Sequence, residues 1–399
     1  PRVGFRWDVY GNRSLMIRGG TGIFAGRVPF VWLTNQPTNT GVIQNLIEPG
    51  SYSASASWIG DIRFNPDRLY WLNNTPASAQ NVFIQSPKSG APGTVALVDP
   101  NFKMPKVFRT SIGFDQKLGN SPFTLTADLL YSKDLQSVYQ FGANRKEATA
   151  KMYDGRDYYA NSAAYQYNNK IGGNSASILS NTSKGYSFNF TVGLSMAQKK
   201  GFSGSLFFSH TTAQSTTDNL GSNASSAWGA TPIINNPNDI FLASAIDALP
   251  SRIVGTLSYR KEYLKHLATT VTLYYDGSTA GRYSYTYNGD VNGDAIAADL
   301  LYIPNDASEV NFVTANGFTP QQQVDAFNTL IKNSKYLSSH KGKIAGRNAA
   351  VMPWNSRFDL KFIQDVFVKA GKTKNTLQFT ATIINFSNFL NSDWGIRQQ

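Results

Sequence analysis

Asp290, Asn292 and Asp294 alternate through a glycine-containing stretch, and Asp299 follows shortly after. Oxygen ligands two residues apart can turn toward one hard cation in a tight loop, which is why calcium loops use that spacing. The rest of an EF-hand is missing, because the sixth position is Ala295 and the twelfth is Leu301. Two expectations stand side by side. One is a calcium ion held by Asp290, Asn292, Asp294 and Asp299; the other is a turn closed by Asx hydrogen bonds. A second candidate group is aromatic: Trp58, Trp71, Tyr158, Tyr165 and Trp228, with Tyr70, Tyr153, Tyr159 and Tyr167 in the same stretches. Such side chains stack on sugars and hydrogen-bond peptides, so they are candidate ligand contacts. Packing between loops and membrane-interface belts use the same residue types.

Covalent catalysis finds little support. Asp154 and Asp157 are close in sequence, but nothing sets them ~5–9 Å apart as glycoside hydrolysis requires. The three histidines, His210, His266 and His340, are isolated, and there is no nucleophile-elbow motif near any of them. With no cysteine, disulfides, zinc ribbons and thiol chemistry are excluded. Gly19-Gly20-Thr21-Gly22 lacks the spacing of a phosphate cradle and lies inside a strand pattern. Glycine there points to a bulge or a close approach of backbone. The chain is therefore expected to be no enzyme, with no cofactor beyond the calcium ion.

These residues must be held by something, and the composition suggests what. Charged residues are 16% of the chain, against roughly 25% in soluble domains. Aromatics reach 13%, and there are 33 glycines. The net charge of +12 comes from scattered residues without a basic run, so lipid headgroups explain it as well as nucleic acid does, and nucleic acid is not an expected partner. No stretch approaches the ~18 apolar residues of a membrane helix.

Period-two alternation is the strongest signal. Tyr186, Phe188, Phe190, Val192, Leu194 and Met196 alternate with polar or small residues, and so do Phe123, Leu125, Ala127, Leu129 and Tyr131. Ten such strands are predicted, at 3–10, 14–24, 106–117, 121–134, 183–197, 201–215, 250–262, 266–277, 356–369 and 375–387. Most exceed the usual strand length and match the ~9–11 tilted residues that cross a bilayer. Short turns join the strands in pairs, while long segments at 25–105, 135–182, 216–249 and 278–355 separate the pairs. That alternation is the signature of an outer-membrane barrel with short periplasmic turns and long extracellular loops. Within the last loop, Thr319-Pro320 should open a helix running to about Lys335, with Val324, Phe327, Leu330 and Ile331 on one face. The fold class is all-β, a transmembrane antiparallel barrel in a single partial domain over 1–399. Because the chain opens at Pro1 with strand sequence under way and no signal peptide, it reads as an internal piece of a longer precursor.

Arg18-Gly19-Gly20-Thr21-Gly22-Ile23-Phe24 runs through Gly26-Arg27-Val28-Pro29-Phe30 to Trp32-Leu33 and Asn35-Gln36. Asp290 to Asp294 leads into Asp299-Leu300-Leu301-Tyr302-Ile303-Pro304. Tyr336-Leu337, His340-Lys341-Gly342 and Arg347-Asn348 follow, then Pro353-Trp354-Asn355 before Arg357-Phe358-Asp359-Leu360. In this order the motifs resemble the barrel region of Oar-like TonB-dependent receptors, relatives of the SusC-like transporters of Bacteroidetes. The resemblance implies a barrel of about twenty-two strands around a plug, of which these would be the twelfth to twenty-first. It also implies TonB-energised import of a bulky ligand (glycan, peptide or siderophore) across the outer membrane of a Gram-negative bacterium, with a surface lipoprotein lid as a further partner. The energy-coupling box, the plug and the closing strand have no counterpart here. A passive porin or adhesin barrel, and a soluble secreted carbohydrate-binding β-protein, are the alternatives.

Overall fold

The computed structural model describes residues 1–38, 61–67, 69–77, 95–168, 176–371 and 373–396. Ten long strands run in sequence order: β1 (Arg2–Asp8), β2 (Leu15–Ala25), β3 (Lys106–Lys117), β4 (Phe123–Gly142), β5 (Tyr186–Lys199), β6 (Phe202–Ser215), β7 (Ser251–Tyr263), β8 (Leu267–Thr279), β9 (Trp354–Ala370) and β10 (Thr373–Ile383). Each pairs antiparallel with the next, so the sheet is an uninterrupted up-and-down meander from β1 to β10. All ten predicted strands are present.

The register shows what the alternation achieves. Phe123, Met196, Gly204, Leu257, Leu273, Leu360 and Ile383 line up across seven strands in one row, apolar apart from the glycine. The next row, on the opposite face, is Thr124, Ser195, Ser205, Thr256, Tyr274 and Asp359. On the first face Leu206 is 57% exposed, Leu257 54% and Phe379 58%. A soluble protein does not leave an apolar face of that extent in water. This is the wall of a membrane-spanning β-barrel, apolar toward lipid and polar toward the lumen.

The polar face is laced by ion pairs between strands. Arg18 on β2 pairs with Asp115 on β3 and reaches Asp128 on β4 at 2.7 Å. It does so across Gly113, where a Cβ would collide with the Asp128 carboxylate. Arg252 meets Asp276 at 2.9 Å, and Arg357 bridges Asp276 and Asp359 at 3.9 and 3.3 Å. Arg260 holds Asp365 at 2.6 Å, and Gln378 donates to the same carboxylate at 2.8 Å.

Two readings of the strands change. The β1–β2 ladder runs unbroken from Arg2↔Gly22 to Asp8↔Met16, so the glycine cluster makes no bulge. Gly19 fits the other expectation, a close approach of backbone: a Cβ there would stand 2.8 Å from the Ser111 carbonyl and 2.7 Å from the Phe5 ring. Also, β4 continues past its expected end at 134 to Gly142, because the strand Ala176–Thr182 pairs with its upper half from Ser137↔Thr182 to Gly142↔Ser177.

The long connections fold on one another above the sheet. Val95–Val98 lies parallel to Ala176–Thr182. Helix α1 (Phe30–Thr38) and helix α2 (Ala224–Gly229) meet there, and Val28, Trp32, Val138, Leu179 and Ala227 form a buried cluster from four separate segments. The predicted helix is α3 (Pro320–Asn333), with Thr319 and Gln322 forming a reciprocal capping box. With α4 (Lys335–Ser339) it buries Ile331 and Leu337 against Ile303 and Ala345.

A charge on the outward face should be costly and one on the lumen face should not. Leu273→Lys is expected to lower the urea-unfolding stability of the vesicle-inserted protein by about 2–4 kcal/mol near the bilayer midplane. Thr272→Lys, one residue away, should cost less than half of that.

Candidate functional site

In the 290–299 motif Asn292, Asp294 and Asp299 are buried and Asp290 is exposed, and each turns an oxygen onto backbone N–H groups of the same loop. Asp290 accepts from the N–H groups of Gly293 (2.8 Å), Asp294 (3.2 Å) and Ala295 (2.6 Å). Asn292 Oδ1 accepts from the Asp294 N–H at 3.0 Å, Asp294 Oδ1 from Ile296 at 2.8 Å, and Asp299 Oδ2 from Val291 at 2.9 Å. This is a chain of Asx turns. Gly293, at φ 79°, is required twice over, because a side chain there would also strike the Tyr159 carbonyl.

The cations that these carboxylates meet are guanidiniums. Arg145 pairs with Asp294 at 3.1 Å and donates to the Asp294 carbonyl at 2.6 Å, and both side chains are 1% exposed. Arg156, fully buried, pairs with Asp154 at 2.7 Å and Asp299 at 3.3 Å and donates to the Leu300 carbonyl at 2.8 Å. Among the described residues no group of three or more Asp, Glu or His is set to hold a metal ion. Arginine pairing thus occupies two of the three carboxylates on which the calcium expectation relied, Asp294 and Asp299, and Asp290 is taken by backbone N–H groups. Asp154 and Asp157 are likewise occupied, by Arg156 and Lys151.

A third buried arginine ties in the next connection. Arg347 donates to the carbonyls of Thr216 at 3.0 Å and Ser215 at 2.7 Å and stacks over Phe241. Beside it, Asn348, at φ 52°, donates to Asp218 at 2.8 Å and to the Ser244 carbonyl at 2.9 Å. Asn238 grips the Gly142 backbone at both its N–H (2.7 Å) and its carbonyl (2.9 Å), and Asn35 caps α2 through the Ala224 N–H at 2.9 Å. Four long connections are thus knitted into one cap by buried polar groups.

Electrostatics follow from that burial. Burial outweighs the attraction of Arg145 and pushes the Asp294 carboxyl up to about 7. It also lowers Arg145, and it raises Asp299 and Asp218 above the usual carboxylate range. Tyr287, under the Arg156 guanidinium, is pushed up to about 12 by burial.

The aromatic candidates divide. Trp228 is 5% exposed, packs over Gly142 and donates to Asn238 at 3.2 Å, so it is a packing residue and not a ligand contact. Tyr165 is half-buried beneath Arg145, at 5.1 Å. Trp71 is half-buried, edge-on to Tyr70, and donates to the Arg63 carbonyl at 2.9 Å. Tyr158 is exposed, at 41%. Trp58 lies outside the described residues. A hollow of about 330 Å³ that sequence reasoning missed is bordered by Tyr283, Tyr285, Tyr336, Asn333 and Lys335. There Tyr285 and Tyr336 stack at 6.1 Å, while the Tyr283 and Tyr285 hydroxyls are bonded to each other at 3.0 Å. Tyr336 also stacks on His340 at 4.2 Å, so these half-buried rings form one packed aromatic wall of the hollow.

No protein-family model matches the chain, and no curated protein matches it. Among solved structures it is similar to the outer membrane transporter YddB from Escherichia coli, at 12% identity with a TM-score of 0.42. The match covers 96% of this chain and 39% of that one, so the chain spans about two fifths of that structure's length. At that identity and score the similarity assigns neither a family nor a function.

Two outcomes follow for the cap. Asp294 has a folded pKa near 7, raised from an ordinary value near 4, so its protonated form favours the folded cap. Its contribution is fully present below about pH 4 and is lost as pH rises through about 7. Amide exchange in 290–299, corrected for the intrinsic pH dependence, should therefore lose protection across that window, and Asp294→Asn should flatten the profile. Arg156→Ala should destabilise the cap by about 3–5 kcal/mol, because two buried carboxylates lose their cation. Exchange in 285–303 should speed up accordingly, with β7 and β8 unchanged.

Proposed function

We propose that this chain is barrel wall and outer cap of an outer-membrane transporter of the TonB-dependent kind, which imports a bulky ligand such as a glycan, peptide or siderophore. One observation carries the reading. Ten consecutive strands present an apolar face and an ion-paired polar face, and their long connections fold together above the sheet. A lumen lined by Arg18, Asp115, Asp128, Arg252, Asp276 and Arg357 suits a hydrated interior, and a knitted cap suits gated passage more than free diffusion. Tyr153, Tyr158 and Tyr167 are exposed aromatics of the cap that suit a first contact with ligand. Coupling to the inner membrane, a plug and a lipoprotein lid rest on the motif resemblance in 18–36 and 290–360. Passage of this kind makes and breaks no covalent bond.

The test is conductance. Full-length protein purified from its native outer membrane and placed in a planar lipid bilayer should show no steady open-pore current. It should also bind the periplasmic domain of the host's energy-coupling protein. A stable ohmic current without such binding would replace this reading with a passive pore.

A further inference from the structure

At the short-turn end the outward face becomes aromatic and basic. β5 and β6 meet at Lys199-Lys200-Gly201, where Lys200 has φ 51° and Gly201 φ 87°. A register shift beside the turn sets Lys199 opposite Phe202, and Phe202 stands opposite Tyr259 on β7, so the three share the outward face. The Phe202 and Tyr259 rings lie 4.6 Å apart. Lys261 follows Tyr259 on the same face, and the Arg260 N–H donates to the Gly201 carbonyl at 2.9 Å, holding the turn against this strand. With neighbouring strands about 4.8 Å apart and a rise of about 3.4 Å per residue, the three lysines start from backbone positions within roughly 12 Å of one another.

Lys199, Lys200 and Lys261 are exposed, and none has an ion-pair or hydrogen-bond partner among the described residues. The acid nearest in sequence, Glu262, is taken by Arg260 at 3.4 Å. Three unneutralised ammonium groups at one end of the sheet call for an anion. Phe202 and Tyr259, 46% and 40% exposed beside them, call for hydrocarbon. A ligand with both in one molecule is a phospholipid whose headgroup is anionic.

We propose that this patch binds an anionic phospholipid in the leaflet at the short-turn end. The three ammonium groups donate to phosphate oxygens, and the two rings lie against the upper acyl chains. A free phosphate shares the first contact and lacks the second. The proposal rests on the sheet being a membrane wall, and the experiment separates the two claims.

The protein is inserted into phosphatidylcholine vesicles, and carbonate-resistant insertion is scored first. It is then extracted in mild detergent and titrated with phosphatidylglycerol or phosphatidylcholine, with retained lipid counted by native mass spectrometry. Expected is preferential retention of phosphatidylglycerol, about tenfold weaker in the K199Q/K200Q/K261Q variant. Inorganic phosphate at millimolar concentration should not displace it. The same triple substitution on the lumen face (K117Q/K361Q/K374Q) should leave retention unchanged. Equal retention of the two lipids, or an unaffected K199Q/K200Q/K261Q variant, overturns the lipid site while leaving the wall intact. Displacement by inorganic phosphate overturns it in favour of a free-anion site. Failure to insert into any vesicle overturns both claims.

Discussion

Hydrocarbon offers no hydrogen bonds, so every backbone N–H and C=O at membrane depth must find its partner within the protein. In this chain the antiparallel ladder meets that demand strand by strand, each bonded to the next in sequence from β1 to β10. Everything else depends on it. Because the ladder fixes a period of two, one residue in two faces lipid, which is why Leu257 and Leu273 stand in one row and Thr256 and Tyr274 in the next. A slip of a single residue would invert the two faces, so the Arg18–Asp128 and Arg252–Asp276 pairs also pin the register.

The cap obeys the opposite rule. Its regular elements are short, such as Val95–Val98, Asp157–Tyr158 and α2, and its buried apolar residues fall into small separate clusters. They are held by arginine and asparagine side chains that reach into neighbouring connections and satisfy loop carbonyls. Arg145, Arg156 and Arg347 each bond a backbone carbonyl more than 100 residues away in sequence. Paired buried charge of this kind adds little net stability compared with an apolar core, but it penalises every arrangement that separates the partners. Polar matching therefore specifies the cap together with the burial of its small apolar clusters.

That contrast explains what could be read from the residues. The ten strands were legible because alternation and turn chemistry are local signals, and so was α3, whose Thr-Pro start carries its own cap. The upper half of β4 was not, because Val138 and Gln140 gain their strand only by pairing with Ser180 and its neighbours far along the chain. The 290–299 motif was half legible. Its spacing marked a loop closed by Asx turns, but the cations facing its buried carboxylates, Arg145 and Arg156, come from another connection with no local signal. Trp228 failed as a ligand candidate for the same reason: its burial is decided by Gly142 and Asn238.

The central claim is that the outward face of this sheet meets lipid and the other face meets water. The chain has no cysteine, so single cysteines can be placed at will. Substituting Thr256, Leu257, Ser258, Tyr259 and then Val271, Thr272 and Leu273 one at a time, in protein inserted into vesicles, reads the faces directly. Cysteines at 257, 259, 271 and 273 should resist a membrane-impermeant maleimide, and probes on them should be quenched by nitroxide lipids. Those at 256, 258 and 272 should react with the maleimide and escape quenching. Uniform reactivity along β7 and β8, without a period of two, would contradict the account.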